Sequence, residues 1–190
     1  MNIAVYSGSF NPLHIGHLAI MEFLTAKGLF DMVYLVVSPK NPIKDNISAD
    51  SGRDRYEAAV AAVKRHPGLR VRVDDIELDM EAPQYTIKTL DALRDREPEN
   101  RFSLVIGADN LALIRRWRSY KRILTEYGVS VYPRKGYDME ALRNGLLAES
   151  RRAHSKMYRI DLLDAPLTDI SSTEIRNGLA EGKDMSGWLM

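Results

Sequence analysis

The chain has 190 residues, 45% of them apolar, which is enough for one domain with a sizeable core and argues against disorder. Lysine and arginine number 27 against 26 aspartates and glutamates, and the resulting net charge of +1 gives no support for bulk binding to nucleic acid or to a membrane surface. Cysteine is absent, which excludes disulfides, thiolate metal sites and cysteine nucleophiles.

The N-terminus enters an apolar strand at once, over 2–6, without a basic segment and long apolar core, so no signal peptide is expected. Residues 8–17 follow, reading Gly-Ser-Phe-Asn-Pro-Leu-His-Ile-Gly-His, and a helix is predicted over 17–27. The next strand, 32–37, contains the longest apolar run, Met32–Val37, far too short to span a bilayer; a cytoplasmic protein is the expectation. The stretch from Ser38 to Asp54 is rich in proline, asparagine and charge and reads as a long loop. Beyond it, helices are predicted at 53–65, 86–96, 119–126 and 139–148, with strands at 70–73, 102–106, 128–132 and 157–161. A final helix runs from near Ser171 to about Glu181.

Strands separated by helices predict an α/β fold: a doubly wound, mostly parallel sheet with helices on both faces and a helical element at the C-terminus. Ligands in such sheets sit beyond the carboxyl ends of the strands, where the strand order reverses. The candidates are therefore Ser7–His17, Ser38–Lys44, Gly107–Asp109 and Pro133–Gly136.

Four groups of residues stand out. A strand, a glycine-bearing turn and a helix start form a phosphate-handling arrangement, because the first N–H groups of a helix point outward unpaired and its dipole favours negative charge. His14 and His17 lie there; metal ligation, a structural role and phosphate contact are all open to the pair, although zinc needs a further one or two protein ligands. Second, Ser171 with Glu174 is a capping box, which leaves Arg176 and the three successive hydroxyls at 171–173 unexplained unless a phosphate also binds. Third, Gly107 ends a strand and permits close approach, Asp109 suits a ribose hydroxyl or a helix cap, and Trp117 among arginines is an anchor or a stacking platform. Fourth, Lys40, Lys44, Arg53 and Arg134 are solvated cations or ligand contacts, and Thr86 is a helix cap or a contact.

Gly8–His17 resembles the G-(G/S)-(T/S)-F-(D/N)-P-x-H-x-G-H signature of the HxGH nucleotidyltransferase superfamily, and Ile170–Arg176 resembles its I-S-S-T-x-I-R signature. Pro39–Lys44, Tyr85-Thr86-x-x-Thr89-Leu90, Gly107-Ala108-Asp109 with Trp117, and Arg134–Tyr137 resemble the bacterial nicotinate-nucleotide adenylyltransferases within it. The likeness extends over 1–190 as a single Rossmann-like nucleotidyltransferase domain. It implies adenylyl transfer from ATP to nicotinate mononucleotide, with phosphopantetheine adenylyltransferase, a cytidylyltransferase, nicotinamide mononucleotide as acceptor, or a nucleotide-binding module without turnover as rivals.

The resemblance also implies roles. His14, His17 and Arg176 are the catalytic set. ATP would be held by Gly8, Ser9, Phe10, His14, His17, Gly107, Asp109, Ser171, Ser172 and Arg176. Nicotinate mononucleotide would meet Ser38, Lys44, Thr86, Asp109, Trp117 and Arg134. Mg²⁺ would bridge ATP oxygens, held by substrate and water and by no protein side chain. No nucleic-acid or membrane partner is expected; a homo-oligomer remains open, since no segment reads as an exposed interface.

Overall fold

The computed structural model describes residues 1–39, 52–153, 156–167 and 170–190. Six strands form one parallel sheet: β1 (Asn2–Gly8), β2 (Met32–Val37), β3 (Val71–Asp74), β4 (Arg101–Gly107), β5 (Val129–Tyr132) and β6 (Ile160–Leu162). Their order is β3-β2-β1-β4-β5-β6. The chain thus winds outward one way from β1 and then returns to start the other way at β4, so the switch point lies between these two central strands.

Parallel strands covered on both faces need apolar residues at nearly every position. In β2, Val33 to Val37 are all buried. Alternation along β1 divides the core: Ile3 and Val5 point into one cluster, Ala4 and Tyr6 into the other. The first cluster is closed by α3 (Thr86–Arg96), α4 (Ala108–Leu113) and α6 (Met139–Arg152), through Leu90, Leu93, Leu111 and Leu146. The second is closed by α1 (Ile15–Ala26) and α2 (Gly52–Lys64), through Ile20, Met21, Leu24, Ala59 and Ala62. Helices on both faces of a six-stranded parallel sheet bear out the α/β, doubly wound expectation.

Several boundaries differ from the sequence expectation. The first helix begins at Ile15, because His14 and not a residue further on acts as its cap. Helix α4 was not anticipated: six residues are less than two turns, too few for a periodicity to register. The expected helix over 119–126 is a short α5 (Tyr120–Arg122) running into a π-helical turn, Ile123–Tyr127. The last helix, α7 (Ser172–Ala180), follows its predicted cap, Ser171. Lys40 and Lys44 lie outside the described residues, as does most of the predicted long loop.

Leu24 is fully buried between α1 and the sheet. Leu24→Ala should cost about 2–5 kcal/mol, from lost transfer energy plus the cavity left behind. Urea unfolding would show this as a lower midpoint at unchanged slope.

Candidate active site at the switch point

The segment after β1 is anchored by its carbonyl oxygens. Ser9 O accepts from Arg55 Nη1 at 2.7 Å, Asn11 O from Arg176 Nη1 at 2.6 Å, and Pro12 O from Ser172 Oγ at 3.0 Å. Arg55 also donates to Ser38 O and Pro39 O, each at 2.7 Å, and so joins the ends of β1 and β2 from below. Phe10 takes a positive φ of 44° inside this turn and packs edge-on against Tyr6 and His17, at centroid distances of 5.4 and 5.1 Å. Arg55 carried no local sequence signal. It is one basic residue on a helix face, identified only by what the fold sets above it.

The histidines cap α1 together. The N–H of Gly16 donates to His14 Nδ1 at 3.1 Å, and the N–H of His14 donates to His17 Nδ1 at 3.2 Å. An Nδ1 that accepts carries no proton, so both rings are neutral and both hold their hydrogen on Nε2. The rings stack with centroids 3.7 Å apart. Burial, reinforced by the charge of Arg134, lowers the His14 pKa from 6.5 to about 4. His17 is lowered well below the usual histidine range, by burial first and then by His14 and Arg134. The expectation of unpaired N–H groups at this helix start is thereby modified: Gly16 gives its hydrogen to an imidazole, which presents another on its far side. Among the described residues, no group of three or more His, Asp or Glu side chains is placed to hold a metal ion.

Helix α7 approaches the same turn. Ser171 makes the predicted capping box, its Oγ accepting from the N–H of Glu174 at 3.2 Å while its own N–H donates to Glu174 Oε2 at 2.8 Å. The Ser171 hydroxyl also donates to Glu174, and that of Ser172 to Pro12 O. Both hydroxyl hydrogens are thus spent within the protein. Arg176 uses two donors, on Asn11 O and Thr173 Oγ1, out of the five a guanidinium offers.

Across the switch point, Gly107 ends β4 and caps α4. A side chain there would collide with Asp109 Oδ1 and come within 3.1 Å of Arg134 Nε, so the glycine makes room for the protein's own groups. Asp109 lies inside the first turn of α4; it is not the helix cap. Its buried Oδ1 and the buried Nε of Arg134 lack hydrogen-bond partners and face each other at 3.7 Å. Arg134 also donates to Tyr132 Oη at 3.3 Å. The two atoms form an ion pair with each other but no hydrogen bond, and Arg134 lies close enough to lower both histidine pKa values, so this pair is well placed to take up a polar ligand.

The remaining candidates fall in two places. Thr86 is the first residue of α3, not its cap; Tyr85 holds that position and makes no side-chain cap bond. Arg118 lies over the Tyr85 ring at 5.8 Å, which brings the start of α3 beside the Trp117 segment. Trp117 is half-buried and packs against the core. Ser38 follows β2, and its hydroxyl donates to Glu77 at 2.6 Å. Arg53 pairs with Asp75 at the surface, at 3.0 Å.

Residues 5–178 match the cytidylyltransferase-like family model. A Porphyromonas gingivalis protein named probable nicotinate-nucleotide adenylyltransferase is 38% identical over 189 residues, covering 100% of this chain and 89% of that one. A Flavobacterium johnsoniae protein of the same name is 34% identical, covering 100% and 92%. Among solved structures, Plasmodium falciparum nicotinic acid mononucleotide adenylyltransferase complexed with NaAD superposes with a TM-score of 0.77 at 18% identity, covering 97% of this chain and 87% of that one, a likeness of fold. With a matching family model over most of its length and relatives that align from end to end, the chain belongs to the nicotinate-nucleotide adenylyltransferase family of cytidylyltransferase-like proteins.

Proposed function

We propose that the chain, as one domain over 1–190, transfers the adenylyl group of ATP to nicotinate mononucleotide, giving deamido-NAD and pyrophosphate in NAD biosynthesis. Relatives carrying that name align along the whole chain. The observation that carries the reading to a mechanism is the pair of neutral imidazoles, each with Nδ1 accepting from the backbone and Nε2–H left to donate.

The nucleophile is a phosphate monoester with a second pKa near about 6, mostly dianionic at neutral pH, so no general base is required. Catalysis reduces to alignment and stabilisation of charge on the transferring phosphoryl group. Nε2–H of His14 and His17 would donate to ATP phosphate oxygens, with the α1 dipole behind them. Arg176 would add its unused donors to the β- and γ-phosphates. Ser171 and Ser172 serve this reading by holding the turn and the helix start, since their hydrogens are engaged elsewhere. Arg134 and Asp109, ion-paired but without hydrogen bonds at Nε and Oδ1, would meet the phosphate and a ribose between the two nucleotides.

The donor set here is N–H groups and guanidinium, which fits a Mg²⁺ ion held by ATP oxygens and water; that ion would neutralise the leaving pyrophosphate. Thr86 and Trp117 would border the nicotinate ring. Among the described residues no helix is long and apolar enough to cross a membrane; a cytoplasmic site of action is part of this proposal.

Coupled detection of pyrophosphate tests the reading, with ATP or CTP as donor and nicotinate mononucleotide, nicotinamide mononucleotide or phosphopantetheine as acceptor. Release should be fastest with ATP and nicotinate mononucleotide; none with that pair would refute the proposal. His17→Ala should lower kcat by about 10²–10³, the loss typical of one oriented donor. The far-ultraviolet circular dichroism of this variant should stay unchanged.

A pH effect on stability follows from the same rings. His14 binds a proton at about 6.5 when unfolded and at about 4 when folded, so the unfolded chain holds more protons in between. Stability is therefore complete above that range and falls as pH drops through it. Thermal melts of a His14→Gln/His17→Gln variant should depend less steeply on pH in this window than those of the wild type. Equal slopes would remove the assignment of neutral, buried imidazoles.

A further inference from the structure

Glu77 is a buried carboxylate, 3% exposed, in the connection between β3 and α3. Among the described residues its side-chain partners are hydroxyls alone. Oε2 accepts from Ser38 Oγ at 2.6 Å; Oε1 accepts from Thr89 Oγ1 at 2.8 Å and from Ser7 Oγ at 3.3 Å. The Ser7 and Ser38 oxygens are themselves 3.1 Å apart. Burying a carboxylate costs heavily unless its lone pairs are met, and here three hydroxyls from three elements meet them. Ser7 is the penultimate residue of β1, Ser38 follows β2, and Thr89 stands one turn after Thr86 in α3.

A hydroxyl has one hydrogen to give. Ser38 gives its hydrogen to Glu77, so its outward side presents lone pairs only. Thr89 does the same but is buried, while Ser7 and Ser38 are both half-buried; Ser7 reaches Glu77 only at 3.3 Å against 2.6 Å for Ser38, so Ser38 is the firmly fixed acceptor that a ligand can meet. The carboxylate beneath adds negative charge, which disfavours an anion at this point. At neutral pH the dianionic form of nicotinate mononucleotide has acceptors at its ring carboxylate and phosphate, and a pyridinium nitrogen without hydrogen. Its O–H donors are the ribose hydroxyls.

We propose that Glu77 is a positioning residue of the acceptor side. It locks Ser38 as a hydrogen-bond acceptor for a ribose hydroxyl of the acceptor nucleotide, and it ties the first turn of α3 to the ends of β1 and β2. The phosphate is turned away from this end, toward Arg134. This rests on nicotinate mononucleotide being the acceptor.

Steady-state kinetics with both substrates varied test it. Glu77→Gln replaces one accepting oxygen with an amide donor, which frees the Ser38 hydrogen to turn outward. Its KM for nicotinate mononucleotide should rise by about fivefold or more, the effect of losing one hydrogen bond, while the KM for ATP stays within about twofold. Ser38→Ala should raise the acceptor KM in the same way, and the double variant should be no worse than the poorer single one. With either the 2′-deoxy or the 3′-deoxy acceptor, the Ser38→Ala penalty should vanish.

Unchanged acceptor KM in both variants, a parallel rise in both KM values, or additive effects in the double variant would overturn the proposal. If Glu77→Gln does not fold, Ser38→Ala with the deoxy acceptors decides alone. A wild type inactive with nicotinate mononucleotide overturns the functional reading and this one with it; an active wild type with unaffected variants overturns this one alone.

Discussion

The site depends on the capture of backbone carbonyls in residues 9–12. A turn between a central strand and a helix leaves several peptide groups outside any ladder, and each must find a partner. Here the carbonyls of Ser9, Asn11 and Pro12 are taken by Arg55, Arg176 and Ser172, which come from α2 and α7. With the oxygens fastened from behind, the turn cannot rotate freely, and the two imidazoles are held at the mouth of the switch point. One arginine binds a strand-end carbonyl trio, the other pins the turn to α7, so two distant parts of the chain form a single clamp.

That clamp gives the histidines their chemistry. A protonated imidazole could not accept at Nδ1, and a freely rotating one would present either nitrogen. Both rings accept a backbone N–H, both are pushed toward neutrality by burial and by Arg134, and both therefore present a hydrogen on Nε2. The arrangement suits a reaction whose nucleophile arrives already charged. It needs donors in fixed positions more than it needs a base. The hydroxyls of Ser171 and Ser172 donate to Glu174 and to Pro12 O, and so fasten the turn to the start of α7.

The two ends of the proposed site differ in sign. Around the histidines lie Arg134 and Arg176, suited to phosphate. At the ends of β1 and β2 lies a carboxylate encased in hydroxyls, suited to groups that donate. The Asp109–Arg134 ion pair sits at the switch point, with Arg134 close enough to lower both histidine pKa values. The parallel order of the sheet is what produces this layout, since it brings every strand's carboxyl end to the same side.

Alternating apolar strands and helices were readable because buried parallel strands need near-continuous apolar runs and because capping at Ser171 is a local affair between neighbours. The residues 8–17 and 170–176 were likewise legible as two motifs, since each is built from adjacent positions. Helix α4 was not, being too short for a period, and neither was the role of His14 as a cap, which no propensity suggests. Arg55 and Glu77 left no mark in the sequence: a single arginine on a helix and a single glutamate in a connection look like surface charge until the fold closes over them. The sequence by itself determined the architecture, the phosphate-handling turn and the pairing of two motifs. Only the tertiary structure decided which atoms remain free, because a hydrogen bond between residues 46 or 165 positions apart exists only once the sheet has placed them together.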